Sequence, residues 1–270
     1  MKSEVFNGQR FWTYFKHDLT KMWRNHVKAA ILIGFSGLIL YILGIAFNAV
    51  FMKTWQAPGF VARVVVFILA AFALELYQTR TYGYLTDRRK GAYWLMIPAS
   101  SFEKWLSMIL MTLVVIPVAF LGTYTIIDSI LALSDSTYGE LLVTAARSAI
   151  LKANNAITEA NQEYATTWNL GFIFLPAIIG YICNFLYFLL CGISFKRNKI
   201  VWAILILFGS SIIMSTITTT LGFQARYDIN DLAEAEVFIR NIVHVTTLFS
   251  GLLAIGLACG IFFRIKTLKH

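Results

Sequence analysis

The sequence predicts an all-α polytopic membrane protein, with six transmembrane helices and an N-terminal helix lying in the membrane interface. Three observations predict it. The chain is 58% hydrophobic and only 14% charged, with a mean hydropathy of +0.68, whereas a soluble globular chain carries about 25% charged residues. Six windows meet or approach the apolar length that a bilayer span needs, roughly 20 residues. All six are too long and too uniformly apolar for strands, and lipid admits only helices or closed barrels.

Residues 1–28 hold six basic residues and several aromatics. They lack a short apolar core followed by a small-residue cleavage site, so no cleaved signal peptide is expected. Within them Trp12, Phe15, Leu19, Met22, Trp23 and His26 recur at helical spacing, while Lys16, Asp18, Lys21 and Arg24 occupy other angles. That pattern predicts an amphipathic helix over 10–27 with its aromatic side in the inner interface. A solvated helix packed on a soluble body is the alternative.

The predicted spans cover residues 29–52, 57–79, 105–127, 168–195, 200–223 and 237–263. Arg63 and Glu75 sit near the two ends of the second span, and Asp128 lies at the outer edge of the third. Pro117 and Pro176 each remove a backbone donor and should kink the third and fourth spans. Residues 134–165 form the longest polar stretch, in which Leu142, Ala146, Ala149, Ile150, Ala153 and Ile157 keep a helical period. One long or two short helices outside the membrane are expected there. Asp231-Leu-Ala-Glu234 reads as a helix start, so the last helix should begin before the bilayer. No internal repeat stands out, and the chain reads as a single transmembrane domain, 1–270.

Charge sets the orientation. With the N-terminus inside, cytoplasmic segments hold 17 of the 23 Lys and Arg residues: six in 1–28, five in 80–104, three in 196–199 and three in 264–270. Outer segments hold the other six. The positive-inside rule therefore puts both termini in the cytoplasm. The net charge of +9 belongs to the membrane surface, and a nucleic-acid partner is not expected.

The chain offers little chemistry. It has no zinc-protease His-Glu-x-x-His, no Gly-x-Ser-x-Gly elbow and no phosphate loop. His17, His26, His244 and His270 are scattered, so no metal site is expected. Cys183, Cys191 and Cys259 fall inside apolar spans and read as small buried hydrophobes. No catalytic residue and no cofactor are assigned to this chain, and energised work would need its nucleotide from another subunit.

Three intramembrane polar features remain. Glu75 is a carboxylate well inside an apolar window and so a functional candidate, unless it reaches the interface or pairs with Arg80. Ser211, Ser215, Thr218 and Gly222 step by four, three and four, with Thr216, Thr219 and Thr220 adding hydroxyls. Such residues let helices pack closely or line a passage. Gly256 and Gly260 form a small-x-x-x-small pair suited to local packing.

The segment 80–104, between the second and third spans, is the most informative. Asp87-Arg88-Arg89-Lys90 is followed by Gly91, then by Tyr93, Trp94, Leu95, Met96 and Ile97, and then by Pro98-Ala-Ser-Ser. It reads as a charged turn ending at Gly91 and an apolar stretch stopped by Pro98. Ser100 or Ser101 should cap the next helix, with Glu103 in its first turn at the positive end of the dipole. Physics alone leaves two readings open. One is a loop whose aromatics and cations anchor it to headgroups; the other is a docking surface for a soluble partner.

This pattern resembles the cytoplasmic segment of ABC exporter permeases of the O-antigen/multidrug (type V) architecture. There an acidic-Arg-x-x-Gly run leads through apolar residues to Pro-x-Ser, matched here by Asp87-Arg88, Gly91 and Pro98-Ala99-Ser100. The version Pro-Ala-Ser-x-x-Glu-Lys, here Pro98 to Lys104, is similar to that of a bacterial subgroup. The layout of interfacial helix, six spans and cytoplasmic termini agrees with it. The resemblance implies a permease subunit in the bacterial inner membrane, paired with a second permease. It also implies a separate ATPase that holds ATP and Mg and docks on a coupling helix within 80–104. Asp87 to Lys104 would carry the coupling, its Arg and Lys heads pairing with carboxylates on that ATPase and Tyr93, Trp94 and Leu95 serving as anchors. A scaffold or sensor without transport is the alternative.

Overall fold

A computed structural model describes residues 6–164, 171–228 and 232–268. The described residues are almost wholly helical and include no strand. Five helical stretches are long and apolar enough to cross a membrane: Lys28–Met52, Phe60–Thr86, Ser101–Ser134, Phe174–Ser194 and Val237–Thr267. Lys199–Ile213 is a shorter apolar helix at the start of the predicted fifth span.

Helix α1 (Gly8–Met22) starts at Asn7, whose side chain accepts from the backbone N–H groups of Gln9 and Arg10. A wide π-type turn at Trp23–Val27 joins it to α2 (Lys28–Gly34) and α3 (Ser36–Phe47). Helix α4 (Phe60–Thr81) returns, and the short α5 (Arg88–Met96) leads to α6 (Ser101–Leu110) and α7 (Ile116–Ser134). The π-type turn Met111–Val115 immediately precedes Pro117. It contains Leu113, whose carbonyl loses its i+4 donor to the proline, and the wide turn absorbs the misfit within a continuous helix. Pro176 lies inside α9 (Gly171–Ser194).

Within the polar stretch, Leu142–Tyr164 form one long helix, α8. Helix α10 spans Lys199–Asp228 and α11 spans Leu232–Thr267. The expected Asp231 cap lies outside the described residues.

Helix α9 is the hub, lying against α4, α10 and α11. Its approach to α4 is close: a Cβ on Gly192 would fall 2.5 Å from the Thr79 carbonyl oxygen, so only glycine fits. A Cβ on Gly260 would lie 3.6 Å from Leu190 of α9, whereas one on Gly256 would meet open space, so only half of that glycine pair packs. Cys183 and Cys191 are buried as expected, but Cys259 is exposed. The packed face of α11 carries Ile261 and Ile265, and Cys259 falls on its other side.

The largest core cluster lies where α1, the α4–α5 connection, α6, α9 and α11 meet. It includes Met22, Tyr82, Leu85, Trp94, Met108, Leu189 and Ile261. By contrast, large apolar side chains such as Leu43, Ile68, Leu205 and Leu252 are exposed along the spans, as lipid-facing residues are.

Candidate functional site

The informative segment folds as a short helix held from three sides. Asp87 caps α5, its carboxylate accepting from the Arg89 N–H at 3.2 Å. The helix runs through Gly91 instead of turning there, because that cap starts it early and the Gly91 N–H bonds back to the Asp87 carbonyl at 2.8 Å. Ile97, preceding Pro98, is extended and ends the helix. Ser100 then caps α6 in a full capping box with Glu103.

The faces of α5 divide sharply. Trp94 is 1% exposed, and its indole N–H donates to the Tyr14 hydroxyl at 3.0 Å. The Lys104 ammonium donates to the carbonyls of Trp94 at 3.1 Å and Leu95 at 3.2 Å. It thereby satisfies orphan carbonyls at the negative end of α5. Glu103 is buried. It receives a two-pronged pairing from Arg10 at 2.8–3.0 Å and N–H bonds from Asn7 at 2.9 Å and Ser100 at 2.8 Å. Trp94, Glu103 and Lys104 thus brace the segment from within this chain.

Tyr93 (63% exposed) and Met96 (79% exposed) face outward, and Arg89, Lys90, Leu95 and Pro98 are also exposed. Arg88 has a helical backbone, and its side chain lies outside the described residues.

Helix α1 packs on the rest of the chain through a stripe that its aromatic pattern does not mark. Tyr14, Asp18 and Met22 are buried, a stripe of step four, while Phe15 and Leu19 are half-buried and Trp12 and Trp23 are exposed. Asp18, placed on the polar side by its charge, is 2% exposed and takes hydroxyl bonds from Tyr82 and Ser107, each at 2.7 Å. Burial raises its carboxyl above the usual range, and the two hydroxyls pull against that. One carboxylate therefore ties α1 to the end of α4 and to α6. The signal in the sequence is the Tyr14, Asp18, Met22 spacing, hidden because the middle member is charged.

Lys199 secures the other side, donating to the Gly83 carbonyl, to Thr86 Oγ1 at 2.7 Å and to the Gly192 carbonyl at 2.9 Å. The α4–α5 connection is thus pinned to α9 and α10 as well.

Glu75 is half-buried and hydrogen-bonded to Asn184 on α9. Among the described residues the ion pairs are Arg10–Glu103 and Arg63–Asp128, so Glu75 does not pair with Arg80. On α10, Ser211, Ser215, Thr216, Thr219 and Thr220 are exposed. The Ser211, Thr216, Thr219 and Thr220 hydroxyls bond carbonyls of their own helix. They do not join α10 to a neighbour within this chain. The Thr218 side chain lies outside the described residues.

At the opposite end of the spans, Arg63 and Asp128 pair at 2.5 Å. Arg63 also donates to the carbonyls of Tyr138 at 3.1 Å and Glu140 at 2.9 Å, and its guanidinium lies 4.0 Å from the Tyr138 ring centre. Asp128 accepts from the Tyr138 hydroxyl at 3.0 Å and the Leu142 N–H at 2.6 Å. This node joins α4, α7 and the start of α8.

No group of three or more metal-ligating side chains occurs among the described residues. No protein-family model matches the chain, and no curated protein or solved structure matches it either.

Proposed function

We propose that this chain is the membrane-spanning permease subunit of an ATP-driven exporter, with six spans, an interfacial N-terminal helix and both termini in the cytoplasm. Two copies, or this chain and a homologue, would enclose the path, and two ATPase subunits would bind below. The observation that carries the reading is the build of α5. It is a short helix braced by Tyr14, Asp18-bonded Tyr82, Glu103 and Lys104, with Arg89, Lys90, Tyr93 and Met96 left outward. A loop that only rests on headgroups needs no such bracing. A lever that transmits displacement does.

ATP binding would close the ATPases and push α5. Because α5 is tied to α1, α4 and α6, the push would reach the second and third spans as a rigid-body rotation. The exposed hydroxyls of α10 support its place along the path or against the second copy, because their own helix already satisfies them and they face outward without a polar penalty.

Reversing Arg88, Arg89 and Lys90 to Glu, and separately Tyr93→Ala, tests this in lipid nanodiscs. Co-purification with an ATPase and substrate-stimulated ATP hydrolysis are expected to fall in both variants. Unchanged binding and hydrolysis in both would reduce the segment to a membrane contact.

A further inference from the structure

We propose that the cleft between α1, the end of α4 and α5 binds the phosphate of an anionic lipid headgroup. The cleft is about 700 Å³, within the range of small-ligand sites, which run from about 300 to 1,000 Å³. Lys21, Arg80, Arg89 and Lys90 line it, with Tyr84 and Tyr93 among its walls. Three separate elements thus converge four cations on one space.

None of those four is in an ion pair among the described residues. The carboxylates close in sequence are engaged elsewhere: Asp18 is buried beneath Tyr82 and Ser107, and Asp87 accepts from the Arg89 N–H. Lys21 lies 3.9 Å above the Tyr84 ring, and burial and Lys90 both lower the affinity of its amine for a proton, against the pull of Asp18. His26, at the inner wall, is pushed down to about 4 by burial and by Lys21, so it is neutral at physiological pH. Crowded like charges favour an incoming anion, which relieves their mutual repulsion.

The Tyr84 hydroxyl is buried and makes no hydrogen bond among the described residues. A neighbouring cleft of about 410 Å³ shares Lys21 and Tyr93 and adds Arg24 and Thr20.

The source of the phosphate follows from the surroundings. The exposed Trp12 and Trp23 on and just after α1 are interface residues, and the spans begin at Lys28 and Phe60. The cleft therefore sits at headgroup depth on the basic side, where anionic lipid concentrates. This inference rests on the membrane orientation proposed above and needs no ATPase.

Native mass spectrometry and thermal unfolding of the full-length chain in neutral detergent test it. The probes are dioleoylphosphatidylglycerol, dioleoylphosphatidylcholine and inorganic phosphate. The variant Lys21→Gln/Arg24→Gln/Arg80→Gln leaves Arg89 and Lys90 for the ATPase. A matched control, Lys196→Gln/Arg197→Gln/Lys266→Gln, removes the same charge from exposed positions elsewhere. Phosphatidylglycerol should bind and raise the unfolding temperature. Phosphatidylcholine should bind about tenfold more weakly, the cleft variant should lose about tenfold or more, and the control should stay within about twofold. Equal binding of the two lipids, or equal loss in the control, would overturn the site. Inorganic phosphate binding as tightly as the lipid would overturn the lipid source. If the triple variant does not fold, Arg80→Gln alone decides, and an unchanged affinity overturns the proposal. Loss of lipid binding with ATPase co-purification intact separates this site from the coupling reading.

Discussion

Tyr14 accepts the indole N–H of Trp94 at 3.0 Å, across 80 residues of chain, with both rings buried. The bond fixes the N-terminal helix against the helix that carries the outward-facing Tyr93 and Met96. Together with Arg10–Glu103 and the Lys104 contacts, it makes α1, α5 and α6 one mechanical unit. Anything that moves α5 must carry α1 with it or break a buried hydrogen bond.

Tyr14→Phe and Trp94→Phe should each cost about 1 kcal/mol, the net worth of one hydrogen bond, with more where a donor is left buried and unpaired. The double variant should cost less than the sum of the two, because both remove the same bond. Trp94→Ala should cost about 3–5 kcal/mol by opening a cavity. Denaturant titration in detergent measures all four. Strict additivity of the two conservative changes would mean that the bond contributes nothing.

Asp18 predicts a pH dependence. Burial raises its folded-state affinity for a proton above that of the unfolded chain, so the folded state binds more protons between the two values. Its contribution is complete below the ordinary carboxylate range and is lost as pH rises through the raised value. Asp18→Asn keeps an acceptor for Tyr82 and Ser107 and should flatten this dependence with little loss of stability. Asp18→Ala leaves both hydroxyls unsatisfied and should cost about 1–3 kcal/mol. Unfolding temperatures from pH 4 to 9 decide this, and a parent with no downward slope across that interval would contradict the assignment.

Hydropathy was enough to read the helical class and the long apolar stretches, because lipid leaves the backbone few alternatives. Capping chemistry is local, so Ser100 and Glu103 were legible too. The face of α1 was not. Its aromatics Trp12 and Trp23 are exposed, while the packed stripe runs through a carboxylate whose two hydroxyl partners come from distant parts of the chain. The sequence pattern does not mark Trp94 as the enclosed aromatic for a related reason. Adjacent aromatics on a helix of nine residues point in different directions, and only the position of Tyr14 tells which one is enclosed. The Arg63–Asp128 pair was half legible, since both lie at the same end of two consecutive antiparallel apolar helices.

The proposed orientation makes a labelling prediction. In a chain with Cys183, Cys191 and Cys259 replaced by Ala, single cysteines at the exposed positions Ala153 and Asn198 should differ in intact cells. An impermeant thiol reagent should label position 153, on α8, and should reach position 198, between α9 and α10, only after lysis. Equal labelling of both would sink the orientation, and with it the headgroup depth assigned to the basic cleft.

Arg63 and Asp128 should behave as a buried pair whose members cannot be removed singly. Arg63→Met leaves the Asp128 charge enclosed near α4 and α7, while Asp128→Leu strands the guanidinium; either should cost about 3–5 kcal/mol. Replacing both removes the charge problem. It also orphans the carbonyls of Tyr138 and Glu140, the Tyr138 hydroxyl and the Leu142 N–H, all of which the pair now satisfies. The double variant should therefore recover only part of the loss, unlike an ion pair with no other bonds. Arg63→Lys keeps the charge but cannot serve a carboxylate and two carbonyls with one planar fork, so an intermediate loss is expected. Denaturant titration of the four variants in detergent gives the coupling energy directly. A loss under about 1 kcal/mol for Arg63→Met would mean that water reaches the pair, and that α8 is held to the spans by apolar contacts instead.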